Sequence, residues 1–134
     1  MHITQEADYA VRIIYCLAKE QRRMDARTIS EQMGVTLRFA LKILHKLTGA
    51  GVVKSYKGTR GGYELARPSE EINMRQIIEA VDGPPAVCKC VTSEEHCNMG
   101  AAGSCSFQKV FIDIAEDINR KLENVSFAQL VKDS

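Results

Sequence analysis

Five cysteines carry most of the chemistry in this 134-residue chain, and four of them, Cys88, Cys90, Cys97 and Cys105, fall within 18 residues. In a reducing compartment such crowding points to metal or redox chemistry rather than to structural disulfides. Four thiolates can hold zinc tetrahedrally. Structural zinc, however, usually takes cysteines with about two to four residues between them, and no two here are spaced that way. The soft thiolate is also the favoured ligand of iron–sulfur clusters, and thiols in proximity can act as a thiol–disulfide switch. Cys88 and Cys90 are too close in sequence for both to be easy ligands of one cluster, so Cys88 reads as an alternative ligand or a disulfide partner. His96, beside Cys97, reads as a solvated loop histidine. Cys16, alone in a helical stretch, reads as packing.

A second set of residues can meet an anion. Arg38, Lys42, His45 and Lys46 share the outward side of a helical stretch that opens at Thr36, and Lys57 and Arg60 lie in the glycine-rich turn that follows. Between Val35 and Arg67 there are seven basic residues and one acid, Glu64. Residues 1–67 hold 12 Lys and Arg against 6 Asp and Glu, whereas residues 68–134 hold 6 against 11, so the net charge of +1 hides halves of +6 and −5. Such asymmetry fits a polyanion-binding half joined to a half with another task. No nucleophile–base–orienter set is present. Gly58, Gly61 and Gly62 lie between two strands rather than before a helix, so they do not form a phosphate loop. Neither catalysis nor a small-molecule substrate is expected.

The elements that must hold these residues can be read from periodicity. Ala7, Ala10, Val11, Ile14, Leu17 and Ala18 form one stripe of a helix over residues 4–19, capped by Thr4, with Asp8, Arg12 and Tyr15 on another face. A second helix starts near Asp25 and stops at Gly34. A third, capped by Thr36, runs to about Thr48, with Leu37, Ala40, Leu41, Leu44 and Leu47 as its apolar positions. Helix, glycine turn and basic helix make a helix-turn-helix. Strands at residues 52–56 and 63–66 around the Lys57–Gly62 turn add a wing, slim enough to approach DNA. A capping-box-like start at Asn73–Gln76 opens a fourth helix that ends at Gly83–Pro85. After a loop rich in Gly, Ala and Cys, a long helix from about Ser106 to Glu123 repeats Phe107, Phe111, Ile114, Ile118 and Leu122, a seam suited to another helix. Residues 126–131 add one further turn.

The fold class is therefore mainly α with a small β-hairpin: a winged helix-turn-helix domain plus a long C-terminal dimerisation helix. Expected bounds are 1–83 for the winged helix, 84–105 for the cysteine loop, and 106–134 for the dimerisation helix and tail. A recognition helix must put polar and basic side chains into a major groove about 12 Å wide, and Arg38 and Lys42 lie near its N-terminal end, where base contacts are usual. Thr36 can cap the helix and donate to a phosphate, and His45 can touch the backbone. The mixed composition, 45% hydrophobic and 26% charged, and the lack of an apolar run approaching the roughly 18 residues of a membrane span predict a cytoplasmic protein. The first six residues lack the pattern of a signal peptide.

The segments Met1-His2-Ile3-Thr4-Gln5-Glu6-Ala7-Asp8-Tyr9-Ala10-Val11-Arg12, Ile29-Ser30-Glu31-Gln32-Met33-Gly34-Val35 and Gly58-Thr59-Arg60-Gly61-Gly62-Tyr63, with the three-cysteine loop before a long helix, resemble the IscR/NsrR/RirA group of bacterial iron–sulfur regulators, the Rrf-two superfamily. The resemblance covers essentially the whole chain. It implies a homodimeric winged-helix repressor or activator on a partly palindromic operator, with recognition helices about 34 Å apart. It also implies cluster ligation by Cys90, Cys97 and Cys105, separated here by six and seven residues, gaps slightly longer than the family's. IscR-like members place a histidine three residues after the last cysteine, where this chain has Gln108, a poor ligand. NsrR-like members complete a 4Fe–4S cluster with an aspartate from the other subunit, and Asp8 matches that position. The resemblance thus favours a 4Fe–4S over a 2Fe–2S cluster, sensing redox state, nitric oxide or iron. A local role for Asp8, as a first-turn acid paired with Arg12, stands beside it. The alternatives are a winged-helix regulator without a cluster, switched by cysteine oxidation, zinc or a small effector, and a small iron–sulfur electron-transfer protein.

Overall fold

Helix α1 (Gln5–Glu20) begins where the Thr4 hydroxyl accepts the Ala7 N–H at 3.1 Å, satisfying an otherwise orphan donor. The same hydroxyl donates to the Asp82 carboxylate at 2.7 Å, which ties the start of α1 to the end of a later helix. The computed structural model of the chain describes residues 3–83 and 106–134. Within them α1 is the central element, packed against four other helices. Its buried stripe is Ala7, Ala10, Ile13, Ile14, Cys16, Leu17 and Ala18, wider than the expected one, with Val11 only half-buried.

Helix α2 (Ala26–Met33) is capped by Asp25, whose carboxylate accepts the Thr28 N–H at 2.7 Å. It ends at Gly34 with φ 67°, a left-handed conformation that glycine adopts without Cβ strain. The chain then turns directly into α3 (Leu37–Gly49), capped by Thr36. Strands β1 (Val53–Tyr56) and β2 (Gly62–Leu65) pair antiparallel, with Val53 opposite Leu65 and Tyr56 opposite Gly62. Val52, expected in the first strand, lies just outside it but still accepts the Ala66 N–H at 2.8 Å. Met24, in the link between α1 and α2, exchanges both backbone hydrogen bonds with Tyr63, so the wing is stitched to the base of the helix-turn-helix. That link runs so close to Gly62 that a Cβ there would sit 2.6 Å from the Met24 carbonyl oxygen.

After a short 3₁₀ turn (Ser69–Glu71), α4 (Met74–Asp82) opens with a complete capping box between Asn73 and Gln76, as the sequence predicts. Helix α5 spans Ser106–Glu123 and α6 spans Phe127–Lys132. The core joins α1, α2, α3, Met24, Val52, Val53, Ile72, Ile77 and Phe127.

Phe127 is fully buried in that core, and its N–H is held by the Ile72 carbonyl at 2.9 Å. The expected division at residue 106 therefore separates residues that pack together, because the chain after α5 returns to the winged helix. A second difference concerns α3. Its inward positions are Ala40, Ile43, Leu44 and Leu47, whereas Leu41, expected among the apolar positions, is 44% exposed. With about 100° of turn per residue, Leu41 lies about 160° from Ile43 around the helix. Both cannot face the core, and Ile43 sits nearer the Ala40–Leu44–Leu47 stripe.

Candidate nucleic-acid interface and ligand residues

Helix α3 presents Arg38, Leu41, Lys42 and His45 outward, all exposed. Thr36 accepts the Phe39 N–H at 3.3 Å, so its role as cap is realised. Phe39 faces α1 instead, where its ring meets Tyr9 edge to face at 5.6 Å. Lys46 lies on the same flank and pairs with Glu6 of α1 at 2.7 Å, leaving both side chains only part-exposed. The expected outward row thus loses Lys46 to an ion pair that anchors α3 on α1, and Leu41 takes a place in it.

The wing tip carries Lys57 and Arg60, both exposed. Its stem is braced by Arg23, a residue that periodicity does not single out. The Arg23 guanidinium lies 3.3 Å from the centre of the Tyr56 ring, donates to the Arg60 carbonyl at 3.2 Å and approaches Glu64 to 3.8 Å. Tyr56 donates to the same Glu64 carboxylate at 2.7 Å, an acceptor bond that raises the phenol above its ordinary pKa. The single acid of the basic stretch is thereby engaged inside the wing. No local pattern in the sequence announces this brace, because the Met24–Tyr63 pairing that places Arg23 joins residues distant in sequence.

Asp8 and Arg12 form the expected i, i+4 pair at 2.9 Å, both about half exposed. Arg12 also stacks over Tyr9 at 5.2 Å and donates to the Met33 carbonyl, at the end of α2, at 3.4 Å. Asp8 thus reaches the end of α2 through Arg12, and reaches α3 through Arg12, Tyr9 and Phe39. Cys88, Cys90, Cys97, Cys105 and His96 lie outside the described residues. Among the described residues no three His, Cys, Asp or Glu side chains converge as a metal site. Cys16 is buried, donates to the Gln32 side-chain oxygen at 3.4 Å, and has its thiol pKa pushed up by desolvation. A thiol so protonated is a poor nucleophile and a poor ligand, in keeping with a packing role. Gln108 is buried on the inner side of α5. None of the described helices is long and apolar enough to cross a membrane.

The outer side of α5 carries Phe107 (64% exposed), Val110, Phe111, Ile112 and Ile114. Four of them follow i, i+3, i+4, i+7 spacing, one continuous apolar seam. Ile118 and Leu122, expected to extend it, are half-buried where α5 packs on α4. At that end Arg75 of α4 bridges Glu79 at 2.6 Å and also pairs with Glu123 of α5.

The family model described as an iron-dependent transcriptional regulator, Rrf2, matches residues 3–133. The HTH-type transcriptional regulator IscR of Vibrio campbellii is 29% identical over 136 aligned residues, covering 100% of this chain and 79% of that protein. Among solved structures, CymR, the global cysteine regulator of B. subtilis, superposes with a TM-score of 0.79 at 20% identity, covering 100% of this chain and 98% of that one. IscR of T. potens superposes with a TM-score of 0.78 at 22% identity, covering 99% and 88%. These structural likenesses bear on the fold, which in each case is that of a winged-helix regulator.

Proposed function

The chain belongs to the Rrf2 family of transcriptional regulators, and from that premise we propose that it is a homodimeric DNA-binding regulator whose Cys90, Cys97 and Cys105, with Asp8 of the partner chain, hold a 4Fe–4S cluster. The relatives are regulators rather than enzymes. The observation that carries the DNA-binding part is the outer face of α3, with Arg38, Lys42 and His45 exposed beside a braced wing that offers Lys57 and Arg60. Arg38 meets base edges, Lys42, His45, Lys57 and Arg60 meet phosphates or groove edges, and Thr36 positions the helix. The α5 seam supports dimerisation, since an apolar strip of this length on a water-facing helix marks a protein contact.

The donor set fits an iron–sulfur cluster: three thiolates, with one non-cysteine donor to complete the set. Asp8 is an exposed carboxylate held by one surface ion pair, worth under about 1 kcal/mol in general, so it is free to exchange partners. Gln108 is a poor ligand for iron by its chemistry. Bound there, the cluster supplies a centre that oxygen, nitric oxide or iron shortage can alter. The chain's own contribution is the Asp8–Arg12 contact. Loss of Asp8 from Arg12 changes what Arg12 does at the Met33 carbonyl and the Tyr9 ring, both adjoining the helix-turn-helix, and so biases the seating of α3.

Anaerobic purification followed by iron and acid-labile sulfide counts tests this reading. It predicts about four of each per chain, lost in Cys97→Ala, while the variant stays folded and dimeric. The pairing of Asp8 with Arg12 within one chain favours a second reading, a regulator of the same fold that works without a cluster. Colourless or zinc-loaded protein from iron-replete anaerobic cells that still binds duplex DNA decides for it.

A further inference from the structure

We infer that Leu41 is a base-reading residue: its side chain makes the apolar contact to a thymine C5-methyl group in the major groove of the operator. This rests on the DNA-binding reading of α3 and adds a specificity element to it. Among the described residues, Leu41 is the only exposed large apolar side chain between α1 and α4. The others lie on α5, apart from Ile3. Its exposure is not forced by the core, because Ala40, Ile43, Leu44 and Leu47 fill the inward side of α3. Nor does the helix require it, since alanine or a charged residue serves an exposed helical position at least as well.

Its neighbours say what covers it. Around the axis Leu41 lies about 40° from His45 and about 60° from Arg38, so it is flanked by groups that carry or can carry positive charge and stands one position from Lys42. An apolar side chain bordered on its outward side by Arg38, Lys42 and His45 does not suit another protein's apolar helix, whose approach would bury Arg38 and Lys42 without partners. A polyanion gives the cations phosphates and groove acceptors. The base edges of the major groove present one apolar feature that leucine can cover, the thymine methyl. Arg38, Lys42 and His45 supply hydrogen-bond donors, which read guanine or bind phosphate, so the thymine contact falls to Leu41. Burying one methyl group against it is worth roughly three- to fivefold in affinity.

The test uses the purified full chain and duplex sites selected from a random library. Each thymine of the selected site is replaced in turn by uracil, which lacks only the methyl group, and binding is compared for wild type, Leu41→Ala and Leu41→Met. The expected result is a roughly three- to fivefold loss at one thymine per half-site for wild type, no loss at that thymine for Leu41→Ala, and sensitivity kept by Leu41→Met. The inference is overturned if wild type is indifferent to uracil throughout, or if Leu41→Ala is as sensitive as wild type. It is equally overturned if Leu41→Ala changes the oligomeric state and leaves base preference alone. Failure of wild type to select any site, with no salt-dependent binding to duplex DNA, strikes instead at the DNA-binding reading beneath it.

Discussion

Helices α3 and α5 are both amphipathic, but α3 turns its apolar stripe into the chain and shows cations outside, whereas α5 shows apolar side chains outside. On α3 the inward Ala40, Ile43, Leu44 and Leu47 are all fully buried. On α5 only Gln108 and Ala115 are buried, and two phenylalanines stand in solvent. A helix face shows its partner by what it leaves unsatisfied. The outer face of α3 lacks anions, and the outer face of α5 lacks an apolar surface. One chain thus carries two exposed faces of opposite chemistry, joined through α1, α4 and the returning α6.

The contrast depends first on the core that carries both helices. Phe127→Ala removes the largest fully buried side chain and should cost about 3–5 kcal/mol, lowering the thermal midpoint by about 10 °C or more. Retention of the wild-type midpoint would detach the tail from the winged helix. Next in size is the apolar face. Phe111→Asp with Ile114→Asp should leave a folded monomer by sedimentation and weaken operator binding about a hundredfold or more, because the two half-sites then bind independently. If α5 were a solvated helix, the double variant would remain as wild type. On α3, Arg38→Ala should cost about tenfold on the selected site and much less on unrelated DNA, as expected of base readout. Arg60→Ala should act more weakly and evenly across sequences, and reduce the salt slope by about one per lost phosphate contact. Smallest is the cap of α2. The Thr28 N–H holds the Asp25 carboxyl below its ordinary pKa. A depressed folded pKa gives stability that is present above the unfolded carboxylate range and lost as pH falls through the folded value. Asp25→Ala should therefore melt below wild type at neutral pH, with the gap closing in strong acid.

The legible parts of this structure are the local ones. Thr4, Asp25, Thr36 and the Asn73–Gln76 box mark helix starts because each cap is made within a few residues of itself. The Asp8–Arg12 pair follows from i, i+4 spacing. The exposure of Arg38, Lys42, His45, Lys57 and Arg60 follows from phase and turn chemistry. Less legible is whatever depends on partners distant in sequence. With six aliphatic side chains from Leu37 to Leu47, the phase of α3 is open to more than one reading, and only packing decides that Ile43 faces in and Leu41 out. Lys46 looks outward until Glu6 of α1 is placed beside it. The Met24–Tyr63 pairing, the Arg23 brace and the burial of Phe127 are long-range contacts with no local periodicity to announce them. The cysteine loop lies outside the described residues, so its ligand roles rest on spacing and resemblance.

The central claim is that α3 and the wing grip DNA while α5 supplies the second grip through a second copy of the chain. Titration of the wild-type chain onto a selected duplex, with mass and affinity followed across a salt series, tests it most directly. The account predicts two chains per duplex and a slope of log affinity against log salt of about −4 or steeper, from two or more phosphate contacts per chain. One chain per duplex, or binding that ignores salt, would contradict it.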